Sequence, residues 1–131
     1  MSDVLLVTGG SRGIGAATAI CAAKKGWDVA INYARDAEAA KKVSNEVNAF
    51  GRRSITIKGD MTSEDDILKM FEQVESELGH IKGLVNSAGT TGKTARVENM
   101  TALAIRQILE LNVVGLISVS YTHLRAHETT L

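Results

Sequence analysis

The sequence has 131 residues, of which 44% are hydrophobic and 23% are charged, and its 15 basic and 15 acidic side chains cancel. This length and composition are typical of one ordinary globular domain. The single cysteine excludes a disulfide-stapled module, and the longest apolar runs are too short to span a bilayer. Without a net charge to attract nucleic acid or an anionic membrane, we expect a small-molecule ligand and no nucleic-acid or membrane partner. Because a lone cysteine indicates a reducing compartment, we expect a cytoplasmic protein.

The first predicted elements are a short strand and a helix joined by a glycine-rich turn. Residues 4–7 form a wholly apolar run, which is typical of a strand buried on both faces of a parallel sheet. Residues 14–25 follow with small and apolar side chains at helical spacing, and a basic last turn precedes Gly26. We expect Cys21 to be a small buried residue of this helix.

The same alternation of strand and helix repeats along the chain. Further strands are predicted at residues 29–31, 54–58 and 81–85. The helices that follow them are predicted to begin at Asp36, at Thr62 or Ser63, and near Thr101. The third helix has the clearest apolar stripe, formed by Ile67, Met70, Phe71, Val74 and Leu78.

These βα units in succession predict an α/β fold with a doubly wound parallel sheet of the Rossmann type, truncated after about four units. Stopping there is expected to leave the first strand without neighbours on its far side, as an apolar edge that disfavours a soluble monomer. Ligands of such sheets bind beyond the carboxyl ends of the strands. The segments that this edge would collect are residues 8–15, 32–35, 59–61 and 86–89.

The turn at residues 8–15 reads Thr-Gly-Gly-Ser-Arg-Gly-Ile-Gly between the first strand and its helix. Glycine permits a positive φ and a close backbone approach, and the first amides of the helix would face a pyrophosphate. Glycines between elements often serve only to form turns. It is the position of this turn within the βα series that favours dinucleotide binding.

This turn and three later motifs resemble those of the short-chain dehydrogenases/reductases. Asp60 follows the third strand, Asn-Ser-Ala-Gly stands at residues 86–89 where the family has Asn-Asn-Ala-Gly, and Asn112 begins Asn-Val-Val-Gly in the fourth helix. The resemblance covers residues 4 to about 117 and is nearest to the oxoacyl-carrier-protein-reductase-like or sugar-dehydrogenase-like branch. It implies hydride transfer between a nicotinamide cofactor and a carbonyl or alcohol, in a full-length form that is a homodimer or homotetramer.

The resemblance also implies roles for individual residues. Asn112 becomes the catalytic candidate, because the family's asparagine accompanies a local kink in the helix and holds a water in the proton relay. No metal site is implied. The expected cofactor-binding residues are Gly9, Ser11, Arg12, Gly13, Ile14, Gly15, Tyr33, Arg35, Asp60, Met61, Asn86, Ala88 and Gly89.

The end of the second strand bears on the choice between NAD and NADP. NAD binding normally uses an acidic side chain there for the ribose hydroxyls, whereas NADP needs cations for its 2′-phosphate. Residues 32–35 carry no carboxylate, and Arg12 and Arg35 can converge on a phosphate unless both are merely solvated surface residues. Asp36 has the spacing of a ribose ligand but is better placed as a helix cap. We therefore expect NADP rather than NAD, and the missing acid also disfavours an adenosylmethionine-dependent methyltransferase.

The last part of the chain departs from the family. The resemblance implies a catalytic Tyr, followed one helical turn later by a Lys, well beyond Asn112. Tyr121 follows Asn112 too closely, and Arg125 stands where the Lys would be. We therefore divide the chain into a dinucleotide-binding part at residues 1–119 and an atypical tail at 120–131, which resembles vector read-through and is expected to be non-native. We favour an oxidoreductase represented by its cofactor-binding half, and the alternative is an inactive chain that at most binds nucleotide.

Two weaker patterns are set aside. Gly-Lys-Thr at residues 92–94 suggests a phosphate-binding P-loop but lacks the first glycine of that motif. His123 and His127 have a spacing that can chelate a metal on a helix, but no third ligand is evident in the sequence.

Overall fold

The computed structural model of the chain describes residues 3–89 and 101–129. Its strands are β1 (Val4–Thr8), β2 (Asp28–Tyr33), β3 (Ser54–Lys58) and β4 (Ile81–Asn86). Its helices are α1 (Gly13–Lys24), α2 (Ala37–Ala49), α3 (Glu64–Glu77), α4 (Ala102–Leu109) and α5 (Leu116–Thr129). A π-helical turn, Glu110–Gly115, joins α4 to α5. The predicted alternation of strands and helices is confirmed along the described residues.

β2 is longer than its apolar run predicts, because it begins at Asp28 and continues through Asn32. Both of these polar residues are buried. A polar side chain is tolerated in a buried strand when it is hydrogen-bonded, and each of them has partners in or next to β3. The pattern of apolar residues in the sequence carries no sign of those partners, so the predicted strand was too short.

All of the strands pair in parallel, and their order across the sheet is β3-β2-β1-β4. β1 lies between β2 and β4, with Val7 opposite Ile31 on one side and opposite Val85 on the other. The prediction that β1 lacks a neighbour on its far side is wrong, because the chain crosses back after β3 and adds β4 beside β1. The strand order therefore reverses at β1, where open sheets of this kind bind their ligands.

Helices cover both faces of the sheet, as a doubly wound fold requires. Alternate residues of each strand face opposite sides, and two separate apolar cores result. The core under α3 and α5 includes Leu6, Ile67, Met70, Phe71, Val74 and Val119. The core under α1 and α2 includes Val7, Ala19, Ile31, Val43 and Val47. The predicted stripe of the third helix is therefore confirmed as a buried face.

Two helix starts follow the predicted capping chemistry. The carboxylate of Asp36 accepts a hydrogen bond from the amide of Ala39 at 3.0 Å. The hydroxyl of Ser63 accepts one from the amide of Asp66 at 3.2 Å. Each side chain satisfies an amide that lacks a partner within its helix, so both helices begin where the sequence predicts.

Cys21 is exposed, which corrects the prediction of a buried cysteine. α1 instead buries Gly15, Ala19 and Ala23, which lie at i, i+4 and i+8 along one side of the helix. Cys21 lies off that stripe, so its small apolar character did not decide its position.

α5 runs through the predicted tail as far as Thr129. Val119 is part of the core, and the next residue, Ser120, has its hydroxyl oxygen 2.9 Å from the side-chain nitrogen of Asn86. The division of the chain at residue 119 and the non-native origin of the tail stay predictions. Among the described residues, no helix combines the length and the apolar character needed to cross a membrane.

Candidate functional site

The predicted ligand-binding segments meet at one edge of the sheet. The glycine-rich turn follows β1, residues 34–36 follow β2, residues 59–63 follow β3, and residues 87–89 follow β4. Because the strands are parallel, their carboxyl ends all lie at this edge, and β1 with its reversal of strand order is in the middle. The sheet therefore brings the predicted segments together.

The glycines of the turn are required by its geometry. Gly9 has a φ of 62°, and a Cβ built on it would lie 2.8 Å from both the Cα and the amide nitrogen of Ala88. A Cβ on Gly15 would overlap the carbonyl oxygen of Gly9. Gly13 has a φ of 61°, and apart from its chain neighbours and the backbone of its own helix no heavy atom lies within 4 Å of the place where its Cβ would be. Gly9 and Gly15 thus let backbones pack closely, whereas Gly13 leaves open space at the start of α1.

The start of α1 has features of an anion-binding helix end. Arg12 occupies the N-cap position with an extended backbone, and its side chain does not cap the helix. The first turn carries no acidic residue, and Ile14 in that turn is 81% exposed. Backbone amides at such a helix start favour a negative group, and the exposed Ile14 adds an apolar surface beside them. Ser11, just before this turn, is half-buried.

Thr8 joins the ends of β1 and β4. Its hydroxyl lies 3.3 Å from Oδ1 of Asn86, to which it donates, and it accepts from the amides of Ser87 at 3.1 Å and Ala88 at 3.3 Å. A hydroxyl has one proton to donate and two lone pairs, so this group is fully used. The side-chain nitrogen of Asn86 donates to Ser120. Residues 86–88 are thereby held against the glycine-rich turn, and Gly89 follows them at the surface.

Asp60 and Arg35 form the other side of the edge. The carboxylate of Asp60 accepts hydrogen bonds from the hydroxyl of Thr62 at 2.7 Å and from its amide at 2.9 Å. These bonds hold the pKa of Asp60 below its ordinary value, and the bond from the Thr62 hydroxyl has the largest effect. The positive charge of Arg35 adds a smaller effect in the same direction. Partial burial opposes them. Both side chains are exposed, so an ionised acceptor and a cation face the solvent together.

Tyr33 and Met61 contribute backbone groups to this side of the edge. Tyr33 is half-buried, and its carbonyl oxygen accepts a hydrogen bond from the amide of Gly59 at 3.0 Å. Met61 is 3% exposed, so its side chain belongs to the core, and only its backbone lies at the edge. A Cβ on Gly115 would overlap the carbonyl oxygen of Met61. This contact seats the π-helical turn against the segment that follows β3.

Asn112 lies within the π-helical turn. A π-turn inserts an extra residue into a helix and is frequent at functional sites, which agrees with the local kink expected for this residue. The side chain of Asn112 lies outside the part of the chain that the structure describes. Its catalytic role stays a prediction.

Tyr121 lies on the surface between α3 and α5. The residue is 58% exposed, and its hydroxyl accepts a hydrogen bond from the guanidinium of Arg125 at 3.1 Å. A shallow cleft here is lined by Tyr121, Thr122 and Arg125 together with Glu64 and Leu68. Neither Asp60 nor the residues that follow β4 line it. The segment at residues 92–94 lies outside the described residues.

Sequence reasoning assigned no role to Asn32, although it lies at the same edge. The side chain is 1% exposed and hydrogen-bonds both the glycine-rich turn and the segment at the end of β3. The signal in the sequence is an asparagine at the end of an otherwise apolar strand run, a position where a buried amide must find partners.

The chain is similar to known proteins over most of its length. A family model described as short chain dehydrogenase matches residues 3–129. The oxidoreductase YgfF of Escherichia coli (strain K12) is 38% identical over 112 residues, which are 86% of this chain and 45% of that protein. The 3-oxoacyl-(acyl-carrier-protein) reductase FabG of Staphylococcus aureus (strain N315) is 41% identical over 91 residues, which are 70% of this chain and 37% of that protein.

Solved structures show the same likeness. A dehydrogenase/reductase from Sinorhizobium meliloti 1021 superposes with a TM-score of 0.90 at 32% sequence identity, over 95% of this chain and 50% of that one. The chain therefore spans about half the length of that solved protein, and less than half the length of the two curated relatives.

Proposed function

Since the chain belongs to the short-chain dehydrogenase family, we propose that it forms the cofactor-binding part of an oxidoreductase that transfers a hydride between NADP(H) and a carbonyl or alcohol. The observation that carries this proposal is the meeting of an uncapped, glycine-rich helix start with an exposed cation and an ionised acceptor at the switch point of the sheet. Bound NADPH would supply the hydride.

The residues at the edge fit a dinucleotide. The open space at Gly13 and the amides of the first turn of α1 suit a pyrophosphate, and Ile14 offers an apolar contact beside it. Asp60, ionised at neutral pH, can accept a hydrogen bond from an exocyclic amine of the adenine. The residues held by Thr8, from Asn86 to Ala88, form the opposite wall of the crevice together with Gly89, which follows them. In this proposal Asn112 holds a water near the reacting carbonyl.

A preference for NADP is supported by the partners of the charged residues. The Asp36 carboxylate is engaged by the amide of Ala39, so it is already in use as a helix cap. Arg12 and Arg35 are exposed at the same edge. A guanidinium binds phosphate with two parallel hydrogen bonds, so these two side chains suit the 2′-phosphate that distinguishes NADP from NAD.

The test is the double variant Arg12→Ala with Arg35→Ala, titrated with NADPH and with NADH. We expect the Kd for NADPH to rise by about tenfold or more and the Kd for NADH to change little, because only NADPH carries the 2′-phosphate. The matched control is Lys41→Ala with Lys42→Ala, which removes two exposed positive charges from α2. Equal effects of the arginine variant on both cofactors would defeat the NADP assignment.

A chain that binds nucleotide without turning over a substrate is the second candidate. It is supported by the position of Tyr121, whose hydroxyl is bonded to Arg125 on the surface between α3 and α5. Incubation with NADPH and a panel of carbonyl compounds separates the two candidates. Turnover that a Tyr121→Phe change abolishes would make Tyr121 the proton donor and overturn this second candidate.

We also propose a homodimer or homotetramer for the complete protein. Support comes from Val114 and Ile117, two apolar side chains that the π-helical turn and the start of α5 leave exposed and that lie before the predicted tail. Burying them against a second copy would remove them from water. Light scattering of the complete protein tests the oligomer.

A cytoplasmic location is proposed from the single cysteine, which suits a reducing compartment.

A further inference from the structure

Asn32 is a buried polar residue whose side chain reaches in two directions. Its Oδ1 accepts a hydrogen bond from the amide of Gly9 at 3.1 Å. Its Nδ2 donates to the carbonyl oxygens of Ile57 and Gly59, each at 3.3 Å. One short amide therefore bonds the glycine-rich turn on one side and the end of β3 on the other.

The sheet itself provides no bond between these two segments. β1 and β3 are separated by β2, so no ladder of backbone hydrogen bonds joins them. Asn32 lies at the end of β2, between the two, and uses the acceptor and the donors of its amide group on opposite sides. Among residues with the size of asparagine, aspartate lacks the hydrogen-bond donors, and leucine lacks both the donors and the acceptor. Backbone bonds already tie each segment to the end of β2, from the amide of Gly10 to the carbonyl of Asn32 and from the amide of Gly59 to the carbonyl of Tyr33. The Asn32 side chain adds a direct link between the two segments.

Each segment carries a different part of the proposed cofactor site. Gly9 packs against Gly15 at the start of α1 and against Ala88 after β4. Gly59 directly precedes Asp60, and its amide bonds the carbonyl of Tyr33. A dinucleotide that uses both the amides of α1 and the Asp60 carboxylate needs these segments at one fixed spacing.

We infer that Asn32 is a positioning residue whose side chain, together with the backbone bonds to β2, holds the pyrophosphate-binding turn and the adenine-binding end of β3 at a fixed spacing. The inference rests on the nucleotide-binding function proposed above. Asn32 is too deeply buried to touch the cofactor and acts through Gly9 and Gly59. Its loss should therefore weaken ligands that bridge both segments more than ligands that contact one of them.

The experiment compares NADPH, which bridges both segments, with adenosine, which has no phosphate for the glycine-rich turn and reaches only the side of Asp60. Both are titrated into the same preparation of the chain and of its Asn32→Ala variant, and binding is followed by NMR. We expect the Kd for NADPH to rise about tenfold and that for adenosine by less than about threefold. Partial unfolding divides both affinities by the same folded fraction, so it cancels from their ratio. The control is Asn45→Ala, at an exposed position of α2.

Amide hydrogen exchange provides a readout that needs no ligand. In Asn32→Ala the amide of Gly9 loses its acceptor, whereas the amide of Gly10 keeps its bond to the backbone carbonyl of residue 32, which is 2.8 Å in the native chain. We expect exchange at Gly9 to accelerate and exchange at Gly10 to stay unchanged. The variant Asn32→Asp keeps the acceptor for Gly9 but sets an oxygen against the carbonyls of Ile57 and Gly59. It should preserve protection at Gly9 and still weaken the binding of NADPH more than that of adenosine.

The outcomes separate this inference from the proposed function. If the unaltered chain binds neither ligand, the proposed function fails and this inference fails with it. If the unaltered chain binds NADPH but neither Asn32→Ala nor Asn32→Asp changes the ratio of the two Kd values from that of the unaltered chain, the positioning role alone is overturned. A changed ratio together with faster exchange at Gly9 in Asn32→Ala supports it.

Discussion

Gly115 packs directly against the backbone carbonyl of Met61, so closely that a Cβ at residue 115 would overlap the Met61 oxygen. Gly115 ends the π-helical turn that contains Asn112, and Met61 follows Asp60 at the end of β3. The contact therefore joins the helix of the catalytic candidate to the segment of the expected adenine ligand. A glycine is needed because only the missing side chain lets the two backbones meet.

Replacing Gly115 by Ala should force the helix away from Met61. Overpacking of this kind costs about 1–3 kcal/mol, which urea unfolding can measure. The comparison is Gly13→Ala, where nothing obstructs a Cβ and only the positive φ of the residue opposes the change, at a cost of about 1–2 kcal/mol. We expect Gly115→Ala to shift the amide NMR signals of residues 60–62 and Gly13→Ala to leave them in place. Unshifted signals in Gly115→Ala would contradict the contact.

The Thr8 hydroxyl should stabilise the join between β1 and β4. Thr8→Val keeps the shape of the side chain but leaves the amides of Ser87 and Ala88 without this acceptor, so we expect a loss of about 1–3 kcal/mol in the free energy of unfolding. Thr8→Ser retains the hydroxyl and should lose less. If Val and Ser variants unfold at the same urea concentration, the hydroxyl has no such role.

Asp28 ties the opposite end of the sheet together. Its carboxylate is buried and accepts from the amide of Arg53 at 2.9 Å and from the Arg53 Nε at 3.1 Å. Asp28→Asn should lower the free energy of unfolding by about 1–3 kcal/mol, less than for a fully buried pair because Arg53 is 59% exposed. As the control, Asp65→Asn removes an exposed ion pair with Lys69 and should cause no measurable change. Equal effects of the two changes would argue against the role of Asp28.

The titration of Asp60 should depend on Thr62. In Thr62→Val the hydroxyl that does most to lower the pKa of Asp60 is gone, so this pKa should rise toward its ordinary value of 3.8. A carboxyl whose folded pKa lies below its unfolded one contributes stability above the unfolded pKa and loses it as the pH falls through the folded pKa. The stabilising effect of Asp60 is therefore full at neutral pH, where it should be smaller in the variant than in the native chain, and it disappears in both as the pH falls through the folded pKa. Carbon-13 NMR of the carboxyl group measures the pKa, and Thr62→Ser should keep it low.

Local patterns were enough to predict much of the fold. The apolar run at β1, the stripe of α3 from Ile67 to Val74, and the caps Asp36 and Ser63 each depend on residues within a few positions of one another. The order of the motifs was also enough to recognise the family and to place the expected cofactor ligands at the ends of the strands.

The sequence by itself thus determined the order of the strands and helices and which loops carry polar groups, because periodicity and capping are properties of neighbouring residues. Only the tertiary structure decided that β4 lies beside β1, that Cys21 faces solvent, and that Asn32 bonds Gly9 and Gly59. These facts depend on contacts between segments far apart in the chain. A buried amide or hydroxyl finds its partners only once the strands are packed, since the same side chain suits many different sets of donors and acceptors.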